Sequence, residues 1–188
     1  MRSRLPYGLM VAGGLVGIVA AGLQNIEKMQ LLQDTSKALT CDLSAVFNCS
    51  TVLSSWQSSV FGFPNSLMCL AFFTVFATVG IVGLSGGQIS HSLRHFIQGL
   101  GLFVLAFAIW FLWQSIYSIQ AMCLLCLFCF AALLVINWAW LRINAHDMPI
   151  GKKGRETLAI AIKNGLDTAV WVLAGMILAL LIVLKFYS

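Results

Sequence analysis

The residues of this chain best suited to chemistry are its six cysteines: Cys41, Cys49, Cys69, Cys123, Cys126 and Cys129. Cys123 and Cys126 form a C-x-x-C pair. At the amino end of a helix such a pair has its thiol pKa lowered, which favours the attacking thiolate. Cys41 and Cys49 enclose a short stretch of mixed polarity, CDLSAVFNC. That stretch can close as a disulfide, or its thiolates can join those of Cys123 and Cys126 around zinc. A cysteine in an apolar helix is also simply a small hydrophobe. Cys69 and Cys129 are read that way, because burial raises a thiol's pKa and makes it inert. Two pairs meeting at one membrane face would instead pass electrons through mixed disulfides.

Whether they meet depends on the elements that carry them. The 188 residues are 60% hydrophobic and 9% charged, with a mean hydropathy of +0.94. Soluble domains carry about a quarter charged residues, so the solvent of this chain is lipid. A bilayer core takes roughly 20 apolar residues per helix. Five segments meet that length, at about 7–23, 65–84, 96–117, 122–140 and 168–186. The expected fold class is an all-α membrane protein: a four-helix transmembrane bundle over 1–142, with an outer loop at 24–63, then a cytoplasmic connection and a fifth transmembrane helix over 143–188. Phe63-Pro64 suits the start of the second span.

Lysine and arginine near span ends stay cytoplasmic. Arg2, Arg4, Arg94, Arg142, Lys152, Lys153, Arg155 and Lys163 fall on one side, against Lys28, Lys37 and Lys185 on the other. The amino terminus is therefore expected inside, with the 24–63 loop and the turn before Cys123 outside. This places Cys41, Cys49, Cys123 and Cys126 at or beyond the outer face, in an oxidising compartment that permits disulfides. Arg2 and Arg4 before an apolar run also resemble a cleaved signal peptide. The small-residue stripe Gly13, Gly17 and Ala21 instead suits close packing of a retained helix.

Charge and motifs exclude several classes. The net charge of +5 lies mostly in the 144–164 connection, where it suits anionic lipid headgroups and leaves no soluble basic surface for nucleic acid. The spans carry no acidic residue or histidine of the kind that marks transport pathways. His91, His95 and His146 fall on the cytoplasmic side, away from any zinc site the outer cysteines would make.

A further set of residues carries a resemblance: Cys41-Asp42, Asn48-Cys49-Ser50, Val52, Ser54-Ser55, Phe61-Gly62, Pro64-Asn65-Ser66 and Cys123-x-x-Cys126. Over about 7–142 the sequence resembles the vitamin K epoxide reductase family, in particular its bacterial homologues that act as disulfide-forming quinone reductases, functional analogues of DsbB. The resemblance implies catalytic roles for Cys41, Cys49, Cys123 and Cys126. Cys41 would meet the partner, Cys49 shuttle to Cys123, and Cys126 face the quinone. It further implies that Asn65 hydrogen-bonds a quinone carbonyl and that Ser55 belongs to the short helix capping the pocket. Without it, Asn65 reads as a helix cap and Ser55 as a turn hydroxyl.

The resemblance implies ubiquinone or menaquinone as acceptor, and a thioredoxin-like or DsbA-like thiol protein as electron donor. It places the protein in the bacterial inner membrane, with the endoplasmic reticulum membrane as the other setting. Bacterial members often continue into a thioredoxin-like domain; here the sequence given ends at Ser188, so a separate partner is expected. Vertebrate members carry a quinone-contacting tyrosine where this chain has Phe130, which favours plain quinone over vitamin K quinone or epoxide. A donor near −120 mV needs a strong acceptor, and one roughly 200 mV higher supplies on the order of 9 kcal/mol. The reading from another class is a thiolate metal-binding membrane protein.

Overall fold

A computed structural model describes residues 4–34 and 39–187, so Arg2 and Lys37 of the charge argument lie outside the described residues. These residues form helices and one isolated parallel bridge, Phe47 with Met122. Five of the helices are long and apolar enough to cross a membrane. The chain is an all-α, multi-pass membrane protein.

Helix α1 spans Arg4–Gln33. Thirty residues make a rod about 45 Å long, well beyond the roughly 30 Å hydrocarbon core. The expected first span stopped near residue 23, where the polar residues begin. The helix continues because those residues share one face: Gln24, Glu27, Lys28 and Leu31 stand at i, i+3, i+4 and i+7, and all four are buried. Hydropathy falls there while the helical period does not.

The small-residue stripe is the contact surface of α1 with α3 (Asn65–Leu84) and α5 (Leu124–Asn144). A Cβ on Gly17 would lie 2.3 Å from the Phe73 ring, and one on Gly13 would meet Ile136 at 3.2 Å. Without strong hydrophobic drive between helices in lipid, such close backbone approach supplies the packing. Pro64 occupies the N-cap of α3 and its carbonyl accepts from Leu67 N–H at 3.0 Å.

Helix α4 (His91–Gln114) starts at Ser90, whose hydroxyl accepts from Leu93 N–H, and runs on through a π turn, Ser115–Ile119. It begins earlier than hydropathy suggests because buried Arg94 is paired with Asp147 at 2.6 Å. Gln120, in the left-handed region at φ 59°, ends the segment and turns the chain toward α5. A short helix α2 (Cys49–Ser54) and a 3-10 turn (Trp56–Ser59) lie within the stretch expected as outer loop.

The 144–164 connection contains helix α6 (Lys152–Lys163), none of whose residues is buried. Its Leu158, Ile160 and Ile162 are outnumbered by charged and small residues, which masks the helical pattern in a hydropathy reading. Helix α7 (Leu166–Tyr187) lies against the outside of the bundle, with Trp171, Leu178, Ile182 and Phe186 packed on its core. It is fixed to α5 at one end, by the Arg142–Asp167 pair at 2.6 Å and by Trp138 Nε1–H donating to Thr168 Oγ1 at 3.1 Å.

Candidate active site

Two short backbone hydrogen bonds bring the cysteine pairs together. Asn48 N–H donates to the Met122 carbonyl at 3.0 Å, and Met122 N–H donates to the Val46 carbonyl at 2.8 Å. The bridge ties the loop before Cys49 to the segment before Cys123. Asn48 is also the N-cap of α2, its Oδ1 accepting from Thr51 N–H at 2.8 Å, so Cys49 starts a helix whose direction is fixed. Asp42 closes the loop from the other side. It accepts from Leu39 N–H and Ser50 N–H, each at 2.9 Å, and from the Ser50 hydroxyl.

Burial pushes the Asp42 carboxyl up. The Ser50 hydroxyl and the N–H groups of Ser50, Leu39 and Cys49 outweigh that effect and hold it below its ordinary range.

Within this frame Cys41 and Cys49 are joined as a disulfide, with Cα atoms 5.7 Å apart. Cys49 Sγ lies 3.3 Å from Cys123 Sγ. Cys123 is the N-cap of α5, and its sulfur accepts from Cys126 N–H at 3.4 Å, an arrangement that stabilises a thiolate. Cys41, Cys49 and Cys123 share a small apolar cluster with Leu31, Leu39, Val52, Leu53 and Ala121. Their three sulfurs lie within 4.8 Å of one another. Two of them are already bonded to each other, so the group offers one thiol in place of the several thiolates that zinc requires. A disulfide beside a free thiol is an arrangement that suits exchange.

One helical turn into α5, Cys126 lines a cavity between α1, α3, α4 and α5, to which Leu53 and Ser58 also contribute. Gln24 Nε2–H donates to Cys126 Sγ at 3.3 Å. Asn65, Ser66 and Lys28 supply the other polar lining, while Phe107, Phe111 and Phe130 stand among the apolar walls. Asn65 Nδ2–H donates to the Gln57 carbonyl at 2.6 Å, and its buried Oδ1 has no partner. An apolar, aromatic-walled cavity fits the flat ring of a quinone; the second Asn65 amide hydrogen can donate to a quinone carbonyl, and the orphaned Oδ1 can accept from the hydroxyl of a quinol.

Asn65 thus lines the cavity together with Cys126. Ser55 does not; its hydroxyl donates to the Val52 carbonyl at 2.7 Å. Ser58, one turn further on, lines the cavity, as does Ser66. Cys69 and Cys129 also line the cavity, beside Cys126 and away from the disulfide. Gln24, Glu27 and Lys28 escaped the sequence reading because they follow the apolar run; their 3.6-residue period was the available signal.

The fold and site define a class: a multi-pass membrane oxidoreductase with cysteines set for thiol-disulfide exchange. The family model described as vitamin K epoxide reductase family matches residues 8–141. The chain belongs to the vitamin K epoxide reductase family, and membership implies membrane thiol-disulfide and quinone reductase activity. Comparison with curated proteins gave no match.

Proposed function

We propose that this protein oxidises a thioredoxin-like, DsbA-like protein at the outer face of a bacterial cytoplasmic membrane and delivers the two electrons to ubiquinone or menaquinone, so supporting disulfide formation in exported proteins. The observation that carries the reading is Cys49, bonded to Cys41 and 3.3 Å from Cys123. The catalytic unit in this reading is 1–142, with 143–188 as a cytoplasmic connection and fifth helix.

In the proposed relay the partner's thiolate attacks Cys41, and the Cys41–Cys49 bond breaks with Cys49 leaving as thiolate. Cys49 attacks Cys123 of a Cys123–Cys126 disulfide, and Cys126 leaves. The partner's second thiolate displaces Cys41 and departs as a disulfide. Cys41 then attacks Cys49, restoring the loop disulfide and freeing Cys123. This leaves the outer pair oxidised and the inner pair reduced, the distribution described above.

A bound quinone supplies an acceptor for two electrons and two protons. The chain's contribution is to hold Cys126 at the cavity, with the Gln24 amide donating to its sulfur and with an Asn65 N–H available to a carbonyl oxygen. Phe130 gives the cavity wall no hydroxyl, which supports plain quinone over vitamin K epoxide.

The test is Cys126→Ala, with quinol followed by absorbance and the reduced partner as donor. Quinol formation should stop while the loop disulfide still reacts with the partner. Formation at the normal rate would remove Cys126 from its assigned role.

A further inference from the structure

Glu27 is a buried carboxyl that the relay leaves unused. Its Oε2 lies 2.9 Å from Cys41 Sγ, and its oxygens also accept the backbone N–H groups of Thr40 and Cys41. In the disulfide Cys41 carries no hydrogen, so this contact is a hydrogen bond only when the proton sits on the carboxyl. When Cys41 is a free thiol the same hydrogen bond can form with the proton on sulfur. Carboxyl and sulfur therefore form a pair between which one proton can move as the redox state changes.

Such a proton is needed. Cys41 is 7% exposed and sits in the apolar cluster with Leu31, Leu39 and Val52, where an unpaired thiolate is costly. The nearby cation is turned elsewhere: Lys28 Nζ–H donates to the Leu53 carbonyl and to the Ser58 hydroxyl. Asp42 is held by Leu39 and Ser50. The groups whose charge bears on Glu27 are Asp42 from the loop and Cys123 from the start of α5.

We propose that Glu27 is the acid–base residue of Cys41. The role rests on the relay proposed above. When the partner's second thiolate displaces Cys41, the S–S bond to the partner breaks and the electron pair stays on Cys41. The Glu27 carboxyl gives that sulfur its proton, leaving Cys41–SH and Glu27 carboxylate. When Cys41 next attacks Cys49 in the Cys49–Cys123 disulfide, Glu27 takes the proton back. A Cys41–Cys49 bond forms, Cys123 leaves with the electron pair, and the proton count is unchanged over the cycle.

The test uses full-length Cys49→Ala protein in membranes, in which Cys41 is a free thiol. Its iodoacetamide rate is followed against pH by mass spectrometry of the Cys41 peptide. A carboxylate beside the sulfur disfavours thiolate, so adding Glu27→Gln should move the midpoint down by roughly one pH unit or more. Glu27→Asp, which keeps the carboxyl, should stay near the parent. With Cys49 present, Glu27→Gln should slow partner oxidation by roughly a hundredfold, and Glu27→Asp should recover part of the rate. The glutamine keeps an acceptor for the Thr40 and Cys41 N–H groups, and the Cys41–Cys49 disulfide on a non-reducing gel confirms the fold.

Coincident pH profiles for the parent and the Glu27→Gln variant would overturn the acid–base role. If the midpoint moves but Cys49→Ala protein captures no reduced thioredoxin, the proton link stands and the relay reading falls.

Discussion

Replacing Asp42 with alanine should make the Cys41–Cys49 disulfide easier to reduce. The carboxylate accepts from Leu39 N–H, Ser50 N–H and the Ser50 hydroxyl, which pins the chain on both sides of the disulfide. Hydrogen bonds to charged groups contribute about 1.5–3 kcal/mol each, but this carboxylate is only partly buried, and water replaces much of what is lost. A net loss of about 2 kcal/mol is the working figure. In this prediction these bonds are made with the disulfide closed and released when it opens, so their removal destabilises the oxidised state alone. At 1.4 kcal/mol per 30 mV, the potential should rise by about 40 mV.

The assay is equilibration with dithiothreitol or glutathione buffers at pH 7, trapping, and quantification of the Cys41 and Cys49 peptides. Asp42→Asn, which keeps a neutral acceptor, should shift the potential about half as far. The pH dependence has a definite sign. A carboxyl held below its ordinary value of 3.8 contributes stability that is fully present above that value and is lost as pH falls through the lower, folded-state value. The gap between wild type and Asp42→Ala is therefore full at pH 7 and narrows only below about pH 3.8. A potential that stays within about 10 mV of wild type, or that falls, would refute the reasoning.

Cys49→Ala should trap the partner on Cys41, since no internal thiol then displaces it; Cys41→Ala should not, and the reverse result on non-reducing gels would invert the order of the relay. Gly17→Ala places a methyl within 2.3 Å of the Phe73 ring and should cost about 1–3 kcal/mol. A thermal unfolding midpoint in detergent equal to that of wild type would show that α1 and α3 have room there. For the proposed orientation, a membrane-impermeant maleimide added outside should label a Leu43→Cys reporter and spare Lys152→Cys; external labelling at residue 152 would overturn it.

The spans and the cysteine pairs were legible because each is a local property of the sequence. An apolar run of the right length and a three-residue cysteine spacing need no tertiary knowledge. The approach of Cys49 to Cys123 was not legible from spacing, because it depends on the Phe47–Met122 bridge between segments distant along the chain. The carboxyl end of α1 was missed because Gln24, Glu27 and Lys28 read as the end of a hydrophobic run, while burial under the loop makes them a packed face. The turn at Trp56–Ser59 likewise brings Ser58 to the cavity, a placement that residue type cannot reveal.

These details explain why a C-x-x-C pair suits the junction. Among the described residues there are two apolar clusters, one under the loop that carries Cys41 and Cys49 and one within the bundle, and α5 begins between them. Cys123, at the N-cap, belongs to the loop cluster and reaches Cys49. Cys126 is three residues on, an axial rise of about 4.5 Å, and lines the cavity. Three residues is nearly one helical turn, so both sulfurs stay on the same side of α5 while one lies further along the helix. A shorter spacing would turn the second sulfur away from the cavity, and a full further turn would leave it too far for the two to form a disulfide. In the proposed relay, electrons cross from loop to cavity by exchange within that one turn, with the α5 backbone fixed throughout.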